Sequence, residues 1–159
     1  MPSYSEHLSQ AKSNLKFLEK INKDNLSFWD WKVTVCFYSA LHLINAHINR
    51  KTGLSYKSHE DVANAINPFQ RLPLSRLSES EYTAYITLQN LSRRSRYLLN
   101  ETNKRDDTAC LTTERHYVKA LKNLQTIISY FEIEYQESIP AINVCCPVHA
   151  ESFTHFRNT

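Results

Sequence analysis

The amino-acid sequence predicts an all-α protein, an up-and-down four-helix bundle with one extra short helix. Glycine occurs only once in 159 residues, and the turn pairs that β-hairpins require are missing, so an all-β fold is not expected. Apolar residues make up 42% and charged residues 22% of the chain, as in ordinary globular domains. In several long segments the apolar residues recur at steps of three and four, which is the period of a helix with one buried face.

The first predicted helix runs from about Ser5 to Ile21. Ser3 and Glu6 precede it with the spacing of a capping box, in which two side chains satisfy free backbone amides at a helix start. One apolar stripe follows, formed by Leu8, Ala11, Leu15, Leu18 and Ile21.

The second predicted helix runs from about Phe28 to Lys51, after a similar signal at Ser27 and Asp30. Gly53 follows it, where a left-handed C-cap is expected. The helix is apolar almost all round, so we expect it to be the central and most buried element.

Three further helices are predicted at about His59–Ile66, Glu79–Asn100 and Thr113–Gln136. Ser58 and Ser78 precede the first two as capping residues, and Pro140 follows the last one. Residues 1–138 therefore form the predicted bundle. Residues 139–159 form a C-terminal tail without helical period, which is either a loosely ordered end or a strap across the bundle.

Charge and patterning limit the possible classes of protein. The net charge of +3 permits contact with nucleic acid without requiring it. No apolar run is long enough for a membrane span, and the N-terminus lacks the apolar core of a signal peptide, so we expect a cytoplasmic protein with reduced thiols. Adjacent cysteines are poor zinc chelators, so no metal site is predicted in the tail from Cys145, Cys146, His149 and His155.

The second helix carries one narrow polar arc on an otherwise apolar surface. Its residues fall within about 60° of one another on a helical wheel. Three interpretations are open: a seam of satisfied hydrogen bonds inside the bundle, a self-association face, or a ligand or catalytic cleft. The arc comprises Trp31, Thr34, Tyr38, His42, Asn45 and Asn49.

The fourth predicted helix carries a basic run, "LSRRSRYLLN". The helical wheel places Arg96 at the edge of the buried face, Arg93 and Asn100 further round the same side, and Arg94 away from it. The run is either a solvated basic patch or an anion-binding site, since the guanidinium fork suits phosphate.

Three stretches together carry a family resemblance: "FWDWKVTVCFYSALHLINAHI", "KSHEDVANAI" and "YTAYITLQNLSRRSRYL". They resemble uncharacterised prokaryotic proteins of the HEPN superfamily over residues 5–136. The resemblance implies a helical bundle that often forms symmetric homodimers. It also implies a place in defence or toxin–antitoxin-like systems, where many members are metal-independent ribonucleases with an Arg-x(4–6)-His motif.

This sequence lacks that motif, because no arginine is followed by a histidine at the required distance. Counted from Arg93 or Arg94, the histidine position falls on Asn100, and an amide cannot exchange a proton near neutral pH. We therefore expect a module without cofactor that binds RNA, a nucleotide or a protein partner. The predicted binding residues are Arg93, Arg96, Asn45 and Asn100.

Two alternatives remain open at this point. One is a ribonuclease with a rebuilt site, in which His42 carries the proton, Tyr38 donates a hydrogen bond and Arg96 holds the phosphate. The other is a non-catalytic dimeric scaffold.

Overall fold

The computed structural model describes residues 1–23, 27–99, 109–145 and 153–159. Within them the chain is a helical bundle, as predicted, with two strands of three residues each. No helix in these ranges is long and apolar enough to cross a membrane. The elements are α1 (Tyr4–Asn22), α2 (Trp29–Thr52), α3 (His59–Ala65), α4 (Glu79–Tyr97), α5 (Glu114–Tyr135), β1 (Ile142–Val144) and β2 (Phe156–Asn158).

Most of the predicted helix boundaries are correct to within one residue. The predicted side-chain caps form at the starts of α1 and α3, whereas Ser78 is the N-cap of α4 without a side-chain hydrogen bond to a backbone amide of the helix. Ser3 and Glu6 form the predicted capping box. The Ser58 side chain accepts hydrogen bonds from two backbone amides of α3, and Gly53 takes the left-handed conformation at φ 72° after α2. The predicted cap at Ser27 is wrong: Phe28 is the N-cap of α2, without a side-chain hydrogen bond.

The fourth helix is shorter than predicted. It ends at Tyr97, and Leu98 turns the chain with a left-handed φ of 56°. The backbone amide of Leu98 donates to the carbonyl of Arg94, and that of Cys110 donates to the carbonyl of Leu98. The helix thus ends in backbone hydrogen bonds that the sequence pattern did not predict.

Helix α2 is the central element, as predicted. It packs against α1, α4 and α5. Val33, Phe37 and Ala40 are fully buried in these contacts. Burying a side chain of the size of Val33 or Phe37 stabilises a fold by about 1.5–3 kcal/mol, so α2 supplies a large part of the core. This position also fixes the direction in which its polar arc faces.

The described part of the tail forms a strap across the bundle. Strands β1 and β2 pair in parallel, with Ile142 opposite Phe156, and both side chains are buried. The Glu19 carboxylate accepts 2.9 Å hydrogen bonds from the amide and side chain of Asn143. His155 lies 2.8 Å from the Glu132 carboxylate of α5. Two of the considered zinc ligands, Cys146 and His149, lie outside the described residues.

Candidate functional site

A cleft of about 1030 Å³ lies where the N-terminus, α1, α2 and the segment leading into α3 meet. Tyr38, His42 and Asn45, three of the predicted site residues, line it from consecutive turns of α2. The polar arc of α2 therefore faces a cavity rather than the bundle centre. Other lining residues that bear on its chemistry are Glu6, His7, Ser55, Tyr56, Lys57 and His59.

His7 of α1 is the partner of His42. The Nδ1 atoms of the two rings lie 3.1 Å apart, and the ring centroids are separated by 5.4 Å. His7 was not among the residues predicted for the site. Its spacing was nonetheless informative, because His7 precedes the buried Ala11 and Leu15 by four and eight residues and so lies on the same helix face.

Both histidines of this pair favour the neutral form. Burial lowers the pKa of His7, against a smaller opposing effect of the Glu6 carboxylate. Burial also lowers the pKa of His42, and the neighbouring His7 lowers it further. A neutral imidazole can accept a proton or a hydrogen bond, so the pair brings proton-accepting chemistry to the cleft.

A short hydrogen-bond network ties the N-terminus to this pair. His7 Nε2 lies 3.2 Å from the Ser55 hydroxyl. That hydroxyl donates to the Pro2 carbonyl at 2.9 Å and also accepts from the Asn49 amide at 3.4 Å. The network joins α1, α2 and the segment after α2 along one wall of the cleft.

Asn45 is committed to protein contacts. Its side-chain oxygen accepts from the Tyr56 backbone amide at 3.1 Å, and its side-chain nitrogen donates to the Leu41 carbonyl at 3.3 Å. Only 3% of the residue is exposed. The seam interpretation therefore describes Asn45, which reaches the cleft wall but is almost fully buried, whereas Tyr38 and His42 are more open to the cleft.

Arg96 of α4 adjoins the cleft through Tyr38. Its guanidinium carbon lies 5.9 Å from the centre of the Tyr38 ring and 5.0 Å from that of Tyr97, which suits cation–π attraction. Its Nε donates to the Ser92 carbonyl of the same helix at 3.3 Å. The positive charge of Arg96 thus lies beside Tyr38, a predicted site residue, rather than in the wall of the cleft.

His59, the first residue of α3, is half-buried against Phe37 and Tyr38 of α2. Its ring centre lies 5.1 Å from that of Phe37 and 6.4 Å from that of Tyr38. Burial lowers its pKa, and the Arg96 charge lowers it further. Its Nδ1 atom is buried without a hydrogen-bond partner in the described part of the chain. Ser58 provides the cap, which frees His59 to pack inward.

The remaining predicted residues are not all brought to the cleft. Arg93 is half-buried on α4 and is not part of the cleft lining. Arg94 points elsewhere, as predicted, and donates to the Leu111 carbonyl at 2.8 and 3.2 Å. Asn100 lies outside the described residues.

A smaller groove of about 320 Å³ lies on the other side of Tyr38 and His42, which line both cavities. Phe17 and Trp31 contribute apolar surface to it, and 61% of Trp31 is exposed. The polar arc of α2 thus separates a histidine-lined cleft from an aromatic groove.

His47, a buried histidine of α2, has a structural environment. Its Nε2 lies 2.8 Å from the Ser75 carbonyl and its Nδ1 lies 2.7 Å from the Tyr135 hydroxyl. The carbonyl can only accept, so Nε2 donates to it and Nδ1 accepts from tyrosine. Because both ring nitrogens are occupied, His47 joins α2 to α5 and to the segment before α4.

Comparison with known proteins finds no match for this chain among protein-family models, curated proteins or solved structures. In the ranges that the structure describes, no group of three or more histidine, cysteine or acidic side chains is arranged to hold a metal ion.

Proposed function

We propose that this chain is a HEPN-like helical module that binds a phosphate-bearing ligand, RNA or a nucleotide, in the histidine-lined cleft. The observation that carries the proposal is the position of Arg96 against Tyr38, at the side of a cleft lined by His42 and His59. The HEPN resemblance rests on the quoted sequence stretches, and a helical bundle is the fold that it implies.

Charge in and beside the cleft favours an anion. Lys57 lines it, and Arg96 is close enough to lower the pKa of His59. An anion bound to the Arg96 guanidinium would offset the positive charge that lowers the pKa of His59. Glu6 is the opposing charge, and one oxygen of its carboxylate, Oε2, accepts hydrogen bonds from the Ser3 amide and hydroxyl.

The test is retention of labelled single-stranded RNA in the presence of a chelator. Retention is expected to weaken with salt, because each phosphate contact releases counterions. Arg96→Ala and Lys57→Ala are expected to weaken it and to reduce its salt dependence. Arg94→Ala is the matched control. It removes the same charge from the same helix, but the Arg94 side chain donates to the Leu111 carbonyl, away from the cleft. Equal loss in Arg94→Ala and Arg96→Ala, or no retention, would contradict the proposal.

A second candidate function is cleavage of RNA by Tyr38, His42 and Arg96. The observation that favours it is the contact between His7 and His42, which presents a neutral imidazole as a proton acceptor. The same incubation separates the two functions. Retention without cleavage supports binding alone, and cleavage that disappears in both His42→Ala and Arg96→Ala establishes the rebuilt ribonuclease. Absence of both signals would favour the scaffold alternative, in which the arginines contact carboxylates of a protein partner.

A further inference from the structure

The hydrogen-bond network beside the cleft determines which nitrogen of each histidine carries the proton. The Ser55 hydroxyl has a single hydrogen, and it donates that hydrogen to the Pro2 carbonyl at 2.9 Å. Its oxygen can therefore only accept from His7 Nε2 at 3.2 Å. His7 consequently carries its proton on Nε2.

The proton position of His7 determines that of His42. A neutral imidazole has one N–H group, so Nδ1 of His7 has a lone pair and accepts. The hydrogen bond of 3.1 Å between the two Nδ1 atoms then requires His42 to donate from Nδ1. His42 is left with an unprotonated Nε2, for which no described residue is a hydrogen-bond partner.

His42 lines both the cleft and the aromatic groove, so this lone pair is accessible to a ligand in the site. A hydrogen-bond acceptor repels phosphate oxygens, which are also acceptors. The ligand must therefore bring a donor next to its phosphate. In a nucleotide the hydroxyls of the ribose are such donors, and the 2′-hydroxyl is the group that distinguishes RNA from DNA.

We infer that the hydrogen bonds linking Pro2, Ser55 and His7 hold His42 in its Nδ1–H form. Nε2 of His42 then accepts a hydrogen bond from a sugar hydroxyl, and in this way His42 selects ribose over deoxyribose. His7 is a positioning residue, since it acts through His42. The inference rests on the proposed binding of a nucleotide ligand, but the tautomer of His42 is a property of the free protein.

The first experiment examines the free protein by long-range ¹H–¹⁵N NMR of the imidazole rings. The expected spectrum shows His42 protonated on Nδ1 and His7 protonated on Nε2. In His7→Phe the acceptor is lost, and His42 is expected to move toward the Nε2–H form. His7→Asn places an amide oxygen near the former Nδ1 and is expected to restore the Nδ1–H form. A wild-type His42 protonated on Nε2 would overturn the inference.

The second experiment compares a short oligoadenylate with its deoxy counterpart by fluorescence anisotropy. The ribo form is expected to bind roughly two- to tenfold tighter, as for one neutral hydrogen bond. In His42→Phe and His7→Phe the ratio should fall to near one, and in His7→Asn it should recover. Equal affinity in the wild type overturns the selectivity while the proposed function stands. Absence of binding by both oligonucleotides overturns both.

Discussion

Nδ1 of His7 lies 3.1 Å from Nδ1 of His42, so two histidines from helices distant in sequence share one hydrogen bond at the wall of the cleft. Only the packing of α1 on α2 brings them together. The energetic consequences of this pair can be tested without knowledge of any ligand.

The pair should contribute measurably to stability. His42→Ala removes the hydrogen-bond partner of a nitrogen on His7, which is only 6% exposed, and is expected to cost about 1–3 kcal/mol of unfolding free energy. Urea denaturation measures this cost. In a double-mutant cycle with His7→Ala, the double variant should lose less than the sum of the single losses. A change within about 0.5 kcal/mol for His42→Ala, typical of surface substitutions, would contradict the prediction.

Stability should fall as the pH drops below the ordinary histidine value of 6.5. Burial lowers the pKa of His7, His42, His47 and His59 in the folded chain, so between the folded and unfolded values the unfolded chain binds more protons. The stability that the folded chain gains from keeping these histidines neutral is present above pH 6.5. It is lost as the pH falls toward the pKa values of the folded chain.

Thermal unfolding followed across this pH range tests the effect. Glu6 opposes it by favouring protonated His7, whereas the nearby charge of Arg96 reinforces it at His59. The double variant His7→Asn, His42→Gln lacks two of the titrating groups and should show a shallower dependence on pH. A dependence equal to that of the wild type would show that the pair does not titrate differently on folding.

The hydrogen bonds of His47 with Tyr135 and Tyr130 should affect stability without affecting ligand binding in the cleft. Tyr135→Phe removes a hydroxyl that donates to His47 at 2.7 Å, and we expect a loss of about 0.5–1.5 kcal/mol. The Tyr130 hydroxyl, 3.2 Å from the same nitrogen, can replace part of this contact. RNA retention by the folded variant should equal that of the wild type. A selective loss of retention would place His47 in the functional site.

A homodimer is predicted from the HEPN resemblance. Half of Phe17 and 61% of Trp31 are exposed next to each other along one groove, which leaves apolar surface available for association. Light scattering at tens of micromolar protein should give twice the chain mass of 18.6 kDa. The mass of a single chain at that concentration would contradict the prediction.

The local features of this protein were predictable from sequence because neighbouring residues determine them. The capping box at Ser3, the cap at Ser58, the single glycine after α2 and the apolar spacing indicate where most helices begin and end. The same spacing identifies α2 as the central element, and its wheel places Tyr38, His42 and Asn45 on one face. Each of these inferences needs only the geometry of one helix.

The chemistry of the cleft depended on contacts between elements far apart in the chain. His7 and His42 are separated by 35 positions, and Arg96 reaches Tyr38 from another helix. Helix packing alone decides such pairs, as well as the burial that lowers the histidine pKa values. The sequence thus determined which face of α2 is polar. Only the tertiary structure decided that Asn45 binds the Tyr56 backbone amide while His42 forms a hydrogen bond with His7. The reason is that hydrogen-bond partners must be close in space, whatever their separation in sequence.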